Sequence, residues 1–258
     1  MRIFVCVKQT AAPEGRVERA PGGTLDRAQS DVGVNFCDLH AVEAALRWKE
    51  TLGGRVTVIS MGPEGAVRTL RDYLAMGADD AVLVTDPIFA GADTYATARV
   101  LAAALRAEKI GTEDLILCGA QSADGMTAQV GPQLAEALQM PCMTFADEIA
   151  LENGRVLVRR ETEGGSMRLG AERPCVVTCA RGMNEPRRAT VAGIFACENK
   201  PVRYLHSRDL ALPAGGGPRI EMLSLFSPQR GEKSVVFQGT EEEAVGELVR
   251  RLRQHQII

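Results

Sequence analysis

Short, largely apolar runs alternate with longer amphipathic segments as far as Pro141, and this alternation restricts the chain to few architectures. RIFVCV, RVTVIS, AVLVT and DLILCG have the length and apolar character of strands buried on both faces. Between and after them lie DLHAVEAALRWKETL, PEGAVRTLRDYLAM, TYATARVLAAALRAE and AQVGPQLAEAL, each long enough for a helix. In the first of these, Asp38 stands at the expected N-cap, and Leu39, Val42, Ala45 and Leu46 share one face. In the second, Pro63 opens the helix and Gly77 falls just past its end. Strands and helices in alternation predict an α/β chain with a three-layer parallel sheet, helices covering both faces.

After Pro141 the rhythm changes. MTFADEIALENGRVLVRRETEGGSMRLGAE carries Asn-Gly and Gly-Gly between β-prone runs, the pattern of hairpins, and PCVVTCA reads as one more buried strand. Residues 181–218 show little periodicity, GGGP at 215–218 reads as a flexible linker, and EEEAVGELVRRLRQH is a closing amphipathic helix. The stretch 199–238 has too few apolar residues to pack a core alone. The expected division is an α/β domain over 1–198 and a C-terminal arm with its helix over 199–258.

Composition removes several function classes. A net charge of −3 gives no support for a nucleic-acid or anionic-membrane surface. No apolar run is long enough to span a bilayer, and MRIFVCVKQ enters a strand without the regions of a signal peptide. The seven cysteines are odd in number and fall mostly in strand-like segments, which suits reduced, buried thiols and a cytoplasmic location. Neither Cys-x-x-Cys nor a Cys/His cluster occurs, and His40, His206 and His255 are far apart, so no metal site is expected. No Ser/His/Asp or Cys/His arrangement can be assembled, and Cys118 at a strand end has no histidine near it. The chain is expected to hold a ligand rather than to transform one.

Where it would hold one follows from the sheet. In an open parallel sheet the ligand crevice lies beyond the carboxyl ends of the strands, where the strand order reverses. The loops at those ends are VKQT, SMGPEG, TDPIFAGADTYAT and GAQSADGMTAQ. The last links a strand to a helix through small polar residues, a construction that points backbone N–H groups at an anion. Gly119, Gly125 and Gly131 form neither G-x-G-x-x-G nor a Walker A loop. Hydroxyls at Ser60, Thr94, Thr97, Ser122 and Thr127 could join backbone donors around a diphosphate, and Asp38, Asp93 or Asp124 could accept from ribose or adenine. Each of these residues taken singly reads equally as a helix cap or turn former, and the loop as a tight turn that holds nothing.

Taken in order, MRIFVCVKQ, NFCDLHAVEAALRWKE, VTVISMGP, LAMGADDAVLV, GAQSADGMTAQVGPQLAEAL, RPCVVTC, RGMNEPRRATVAGIFACENKP and EEAVGELVRRLRQHQII resemble the β subunit of electron-transfer flavoproteins over nearly the whole chain. The resemblance implies a Rossmann-like adenine-nucleotide-binding fold with a C-terminal extension. It also implies a heterodimer with the family's α subunit, whose surface the 199–258 arm would cover. The cofactor implied is FAD in the bifurcating type or AMP in the other. NAD(H) is the implied donor of the bifurcating type, and ferredoxin or flavodoxin its low-potential acceptor. DPIFAGADTYATARVLAAAL and VGPQLAEAL followed by PCMTFADEI are similar to the bifurcating type, whereas NEPRRAT is closer to the AMP-binding type.

The implied binding residues are Cys6, Asn35, Asp38, Met61, Asp93, Thr94 and Thr97, with Gln121, Ser122, Ala123, Asp124, Gly125, Thr127, Ala128, Gln129 and Val130 from the loop. Backbone N–H groups of Gly125, Thr127, Ala128 and Gln129 would hold phosphate, and Asp38 and Asp124 would meet sugar or base. The 181–201 segment is similar to the family's recognition loop, which docks an acyl-CoA dehydrogenase-type flavoprotein through a small apolar residue; Val191 or Ile194 would take that part. The chain departs from the family pattern at Met126, Ala120, Met167 and the pair Phe36–Cys37. Without a basic residue at Ala120, a diphosphate or flavin would have less charge compensation. A stand-alone adenine-nucleotide module similar to universal stress proteins shares the early strand–helix pattern, but would need neither NEPRRAT nor the C-terminal arm.

Overall fold

The structure, a computed structural model, describes residues 1–12, 15–16, 18, 29–212, 215, 217–220 and 234–258. Strand β1 (Arg2–Cys6) leads into a ribbon of β2 (Gln9–Ala11) and β3 (Val32–Val34), which closes the base of the long loop before the first helix. Then follow α1 (Phe36–Leu52), β4 (Arg55–Met61), α2 (Val67–Met76), β5 (Asp80–Val84), α3 (Thr94–Ala107), β6 (Leu115–Gly119) and α4 (Val130–Leu138). Beyond them come β7 (Cys142–Ala146), β8 (Glu148–Glu152), β9 (Arg155–Thr162), β10 (Gly165–Glu172), β11 (Cys175–Cys179), α5 (Val191–Cys197), β12 (Val202–Leu205) and α6 (Glu241–Gln254).

The main sheet has seven strands in the order β12-β5-β4-β1-β6-β11-β7, and every neighbouring pair is parallel. Alternate residues of each strand face opposite layers. Ile3 and Val5 of β1 pack with Val42, Leu46, Leu70 and Leu74 from α1 and α2. Phe4 and Cys6 pack on the other side with Leu101, Leu105, Leu134 and Leu138 from α3 and α4. Each leucine buried in this way stabilises the fold by about 1.5–3 kcal/mol. Every residue of β5 and β11 is buried, as strands covered on both faces require. The three-layer α/β architecture read from the alternation is the one the chain adopts.

Most of the hairpin region is as read: β8, β9 and β10 form a separate antiparallel sheet, turning at Asn153–Gly154 with φ of 51° and 80°, whereas its first run, MTFA, is part of β7 and pairs parallel with β11 in the main sheet. Two elements appear where little periodicity was visible. Helix α5 has seven residues, and Thr190 caps it by accepting from the Gly193 N–H at 3.0 Å. Strand β12 extends the sheet past residue 198, pairing with β5 at the edge. The linker expected at 215–218 includes Gly216, and the 199–238 stretch includes 221–233; these lie outside the described residues.

One local expectation is corrected. Asp38 is not the N-cap of α1: Asn35 holds that position, and Asp38 sits buried inside the first turn. Its carboxylate is drawn inward by two backbone donors at the strand ends.

The described residues 234–258 belong to a unit of their own. Within it, α6 opens with a capping box: Thr240 accepts from the Glu243 N–H at 3.3 Å, and Glu243 accepts from the Thr240 N–H at 2.9 Å. Val245 and Leu248 are exposed on this helix. Among the described residues no helix is long and apolar enough to cross a membrane.

Candidate functional site

The chain runs from β1 out to β4 and β5, then returns to lay β6 on the other side of β1. The strand order therefore reverses between β1 and β6, and a crevice at their carboxyl ends is the place for a ligand. Asp38 stands at this point. Its Oδ2 accepts from the Lys8 N–H at 2.7 Å and its Oδ1 from the Gly119 N–H at 3.2 Å, so one carboxylate ties the ends of both strands to α1. Both oxygens are thus engaged within the fold. A Cβ at Gly119 would lie 2.3 Å from Asp38 Oδ1 and 2.7 Å from Cys37 Cβ, so the close approach needs glycine.

Burial pushes the Asp38 carboxyl up to about 7, outweighing the N–H donors that favour its charge. In the unfolded chain an aspartate titrates near about 3.9. Between about pH 4 and about pH 7 the folded state thus holds a proton that the unfolded state has released. Stability from Asp38 is fully present below about pH 4 and is lost as pH rises through about 7, a loss of about 4 kcal/mol across the window. Urea unfolding of the wild type and Asp38→Asn, its neutral isostere, from pH 4 to 8 should give curves that separate as pH rises, the wild type losing stability that the variant keeps. Parallel curves would mean that the two N–H donors keep the carboxylate ionised throughout.

Asn35 fixes the loop after β6. Its Nδ2 donates to the Gln121 carbonyl at 2.9 Å, and its Oδ1 accepts from the Ala123 N–H at 3.0 Å. From the end of β1, Lys8 Nζ donates to Asp124 at 2.6 Å and to Ser122 Oγ at 3.4 Å. Ser122 turns the loop, its carbonyl accepting from Met126 N–H at 2.9 Å and its Oγ from Gly125 N–H at 3.3 Å. Met126 and Ala128 then adopt left-handed conformations with φ of 53° and 55°. Side chains there cost about 1–2 kcal/mol per residue, which the surrounding bonds must offset. In this arrangement the N–H groups of Thr127, Ala128 and Gln129 have no acceptor among the described residues, and they precede the N-terminus of α4. Such successive amides at a helix start suit a phosphate. Gly131 lets α4 lie against β11, since a Cβ there would be 2.3 Å from Thr178 Cγ2.

Helix α3 joins the same rim. Thr94 donates to Gln129 Oε1 at 3.0 Å, which brings its hydroxyl to the loop. Asp93 caps α3 by accepting from Ala96 N–H at 2.8 Å, while its second oxygen accepts from the N–H groups of Arg219 and Ile220 at 2.7 and 3.0 Å. Thr97 lies one turn along, half-buried, and Val130 begins α4. Cys6 and Met61 end β1 and β4: Cys6 is buried in the core and Met61, partly buried, packs against that core. Burial holds the Cys6 thiol protonated, pushed up to about 12, and raises Cys118 well above its usual range, so neither is an activated nucleophile.

The structure therefore brings together Asn35, Asp38, Thr94 and the 121–129 loop; Asp93 serves as a cap, and Cys6 and Met61 pack with the core at their strand ends. Lys8 was not singled out in the sequence. Its only signal is its place just past a strand's carboxyl end. All seven cysteines are free, and no group of His, Cys, Asp and Glu among the described residues is arranged to hold a metal ion.

A second surface lies on α5. Val191, Ile194 and Phe195 are 71%, 54% and 75% exposed, an unusual concentration of apolar side chains in solvent. Gly193 faces the other way, against α2, where a Cβ would be 2.3 Å from the Ala75 carbonyl oxygen.

The model of the electron transfer flavoprotein domain family matches residues 23–208. Over the full length of both chains, the sequence is 40% identical to the acryloyl-CoA reductase electron transfer subunit gamma of Anaerotignum propionicum. It is 39% identical to the electron transfer flavoprotein subunit beta of Thermoanaerobacterium thermosaccharolyticum, and 38% identical to the caffeyl-CoA reductase-Etf complex subunit CarD of Acetobacterium woodii, again end to end.

Proposed function

The chain belongs to the electron transfer flavoprotein family as a β subunit, and from that premise we propose that its switch-point crevice binds the adenine nucleotide portion of FAD and that it works as a heterodimer with an α subunit. The observation that carries this reading is the run of amides at Thr127, Ala128 and Gln129 with no acceptor among the described residues, beside a Thr94 hydroxyl that reaches the Gln129 side chain. Backbone donors and a threonine hydroxyl fit a diphosphate, with Lys8 the nearby cation on the loop. The likeness extends through NEPRRAT and the C-terminal helix, which a universal-stress-type module would not carry.

The flavin would supply the redox chemistry, and this chain would bind, orient and tune it. Asn35 and Lys8 hold the loop, Asp38 holds the strand ends, and α4 presents its N-terminus to the phosphates. FAD is favoured over AMP because Thr94, from the FAGADTYAT loop, reaches Gln129 and enlarges the polar rim beyond the loop alone. In the two-flavin case NAD(H) and ferredoxin or flavodoxin are the exchange partners. The names of two relatives join an electron-transfer chain to a CoA-thioester reductase, so a flavoprotein of the acyl-CoA dehydrogenase type is the proposed docking partner, met through α5. The exposed Val245 and Leu248 of α6 are the proposed contact with the α subunit, and the free thiols suit the cytoplasm.

Replacing Thr94 and Thr97 together by valine tests the crevice. Losing two hydroxyl bonds to a charged group, each about 1.5–3 kcal/mol, should weaken the nucleotide by roughly a hundredfold or more. Nucleotides released on denaturing the purified heterodimer should then fall from two flavins to the α-subunit flavin alone. Full retention would remove these residues from the site. One flavin and one AMP in the wild type, with no bleaching by NADH, would replace FAD by AMP and leave a simple electron carrier.

A further inference from the structure

The segment leading into α5 is held almost wholly by side chains of other helices. From Asn184 to Ala189 its main chain makes no main-chain hydrogen bond among the described residues. Its ties run instead to α1. His40 Nε2 accepts from the Gly182 N–H at 3.1 Å, which assigns the ring proton to Nδ1, and Nδ1 donates to Asn184 Oδ1 at 3.1 Å. Asn184 Nδ2 returns a bond to the His40 carbonyl at 2.9 Å. One turn further along, Glu43 is 3% exposed and accepts from Arg187 three times, at N (3.1 Å), Nε (2.7 Å) and Nη2 (3.2 Å). Arg47 donates to Glu43 at 2.7 Å and to the Glu185 carbonyl at 3.3 Å. Arg187 also reaches Glu50 at 3.1 Å.

At its far end the segment is tied to α2. Lys200 Nζ donates to the carbonyls of Leu74 (2.8 Å) and Ala78 (2.6 Å), while Arg71 donates to those of Cys197 and Lys200. Each helix thus has one carbonyl of its last turn, Leu74 or Cys197, satisfied by a cation from the other's side. The ends of α5 are fixed, and its apolar residues are left facing outward.

We propose that His40 and Glu43 are positioning residues for docking: they hold the 182–197 segment in its docking geometry before the partner arrives, and so govern capture rather than electron delivery within the complex. This rests on the docking role of α5. Neither residue is exposed like Val191, and neither needs to touch the partner; each acts through a main-chain N–H of the segment, Gly182 or Arg187. Apparent affinity falls by the fraction of molecules that are competent to bind. A segment freed from α1 and competent about a tenth of the time would bind about tenfold more weakly.

The experiment uses the heterodimer with its α subunit, and butyryl-CoA dehydrogenase reduced by butyryl-CoA as the probe, with electron delivery followed against probe concentration. Glu43→Gln and His40→Phe should each raise the half-saturating concentration about tenfold while leaving the limiting rate unchanged. Arg187→Lys, which keeps one donor and the charge, should fall between them and the wild type. Without the probe, hydrogen exchange at Gly182 and Arg187 should quicken while the sheet amides stay as they were. Because the two substitutions break separate ties, either one suffices if the other fails to fold. Unchanged exchange in both, or faster exchange with wild-type half-saturation, would overturn the positioning role, as would a fall in limiting rate alone. Val191→Asp measured alongside separates the premises: if it too leaves delivery unchanged, the docking surface itself is misplaced.

Discussion

Alanine at Gly119 should destabilise the folded chain by about 3 kcal/mol or more and empty the crevice of nucleotide. The added methyl would sit 2.3 Å from Asp38 Oδ1, 2.7 Å from Cys37 Cβ and 2.8 Å from the Asp38 nitrogen. Two of these atoms are at or next to the α1 main chain, so no rotamer change relieves the clash. Helix α1 would have to move away from β6. That motion stretches the Gly119 and Lys8 bonds to Asp38 and shifts Asn35, which holds the loop through Gln121 and Ala123. Urea unfolding should show a lower midpoint at an unchanged slope, and the melting temperature should drop by about 10 °C. Gly65→Ala is the control: its Cβ would meet nothing within 4 Å, so stability should stay within about 0.5 kcal/mol. A Gly119→Ala protein as stable as that control would mean that α1 is not pressed against the strand end.

The same geometry explains what the sequence revealed and what it hid. Strand and helix alternation depends on local pattern, so the sheet, α1 to α4 and the hairpins were all legible. Asp38 was misread as a cap because an acidic residue early in a helix has that role by default. Its real partners, Lys8 and Gly119, lie 30 and 81 residues away. Asn35 acts at a separation of 86 residues, and nothing local marks it. The loop was found from its strand, polar run and helix, but the left-handed residues Met126 and Ala128 carry no glycine to announce them. Helix α5 is too short to show a period, and β12 is an edge strand with partly exposed residues. NEPR could be matched as a motif, but its reason is tertiary: Asn184 and Arg187 exist to meet His40 and Glu43 on α1.

Aspartate at Val191 should slow delivery of electrons from an acyl-CoA dehydrogenase partner by about a hundredfold or more at sub-saturating concentrations, with nucleotide content and α-subunit pairing intact. Val191, Ile194 and Phe195 are spaced i, i+3 and i+4, so one side of α5 presents all of them. Burying a valine in a partner's pocket contributes about 1.5–3 kcal/mol, and aspartate forfeits that and adds a carboxylate to be desolvated. Apolar anchors of this kind dominate contacts whose rim is charged, and the segment before α5 carries Arg181, Arg187 and Arg188. Folding gives no competing explanation. Val191 is the first residue of α5, where a negative charge favours the helix, so the variant should melt no lower than the wild type. Stopped-flow mixing of the reduced partner with the heterodimer would measure the rate. Wild-type transfer with Val191→Asp, Ile194→Asp and Phe195→Asp all in place would move the docking surface away from α5, because none of its exposed large apolar side chains would then remain.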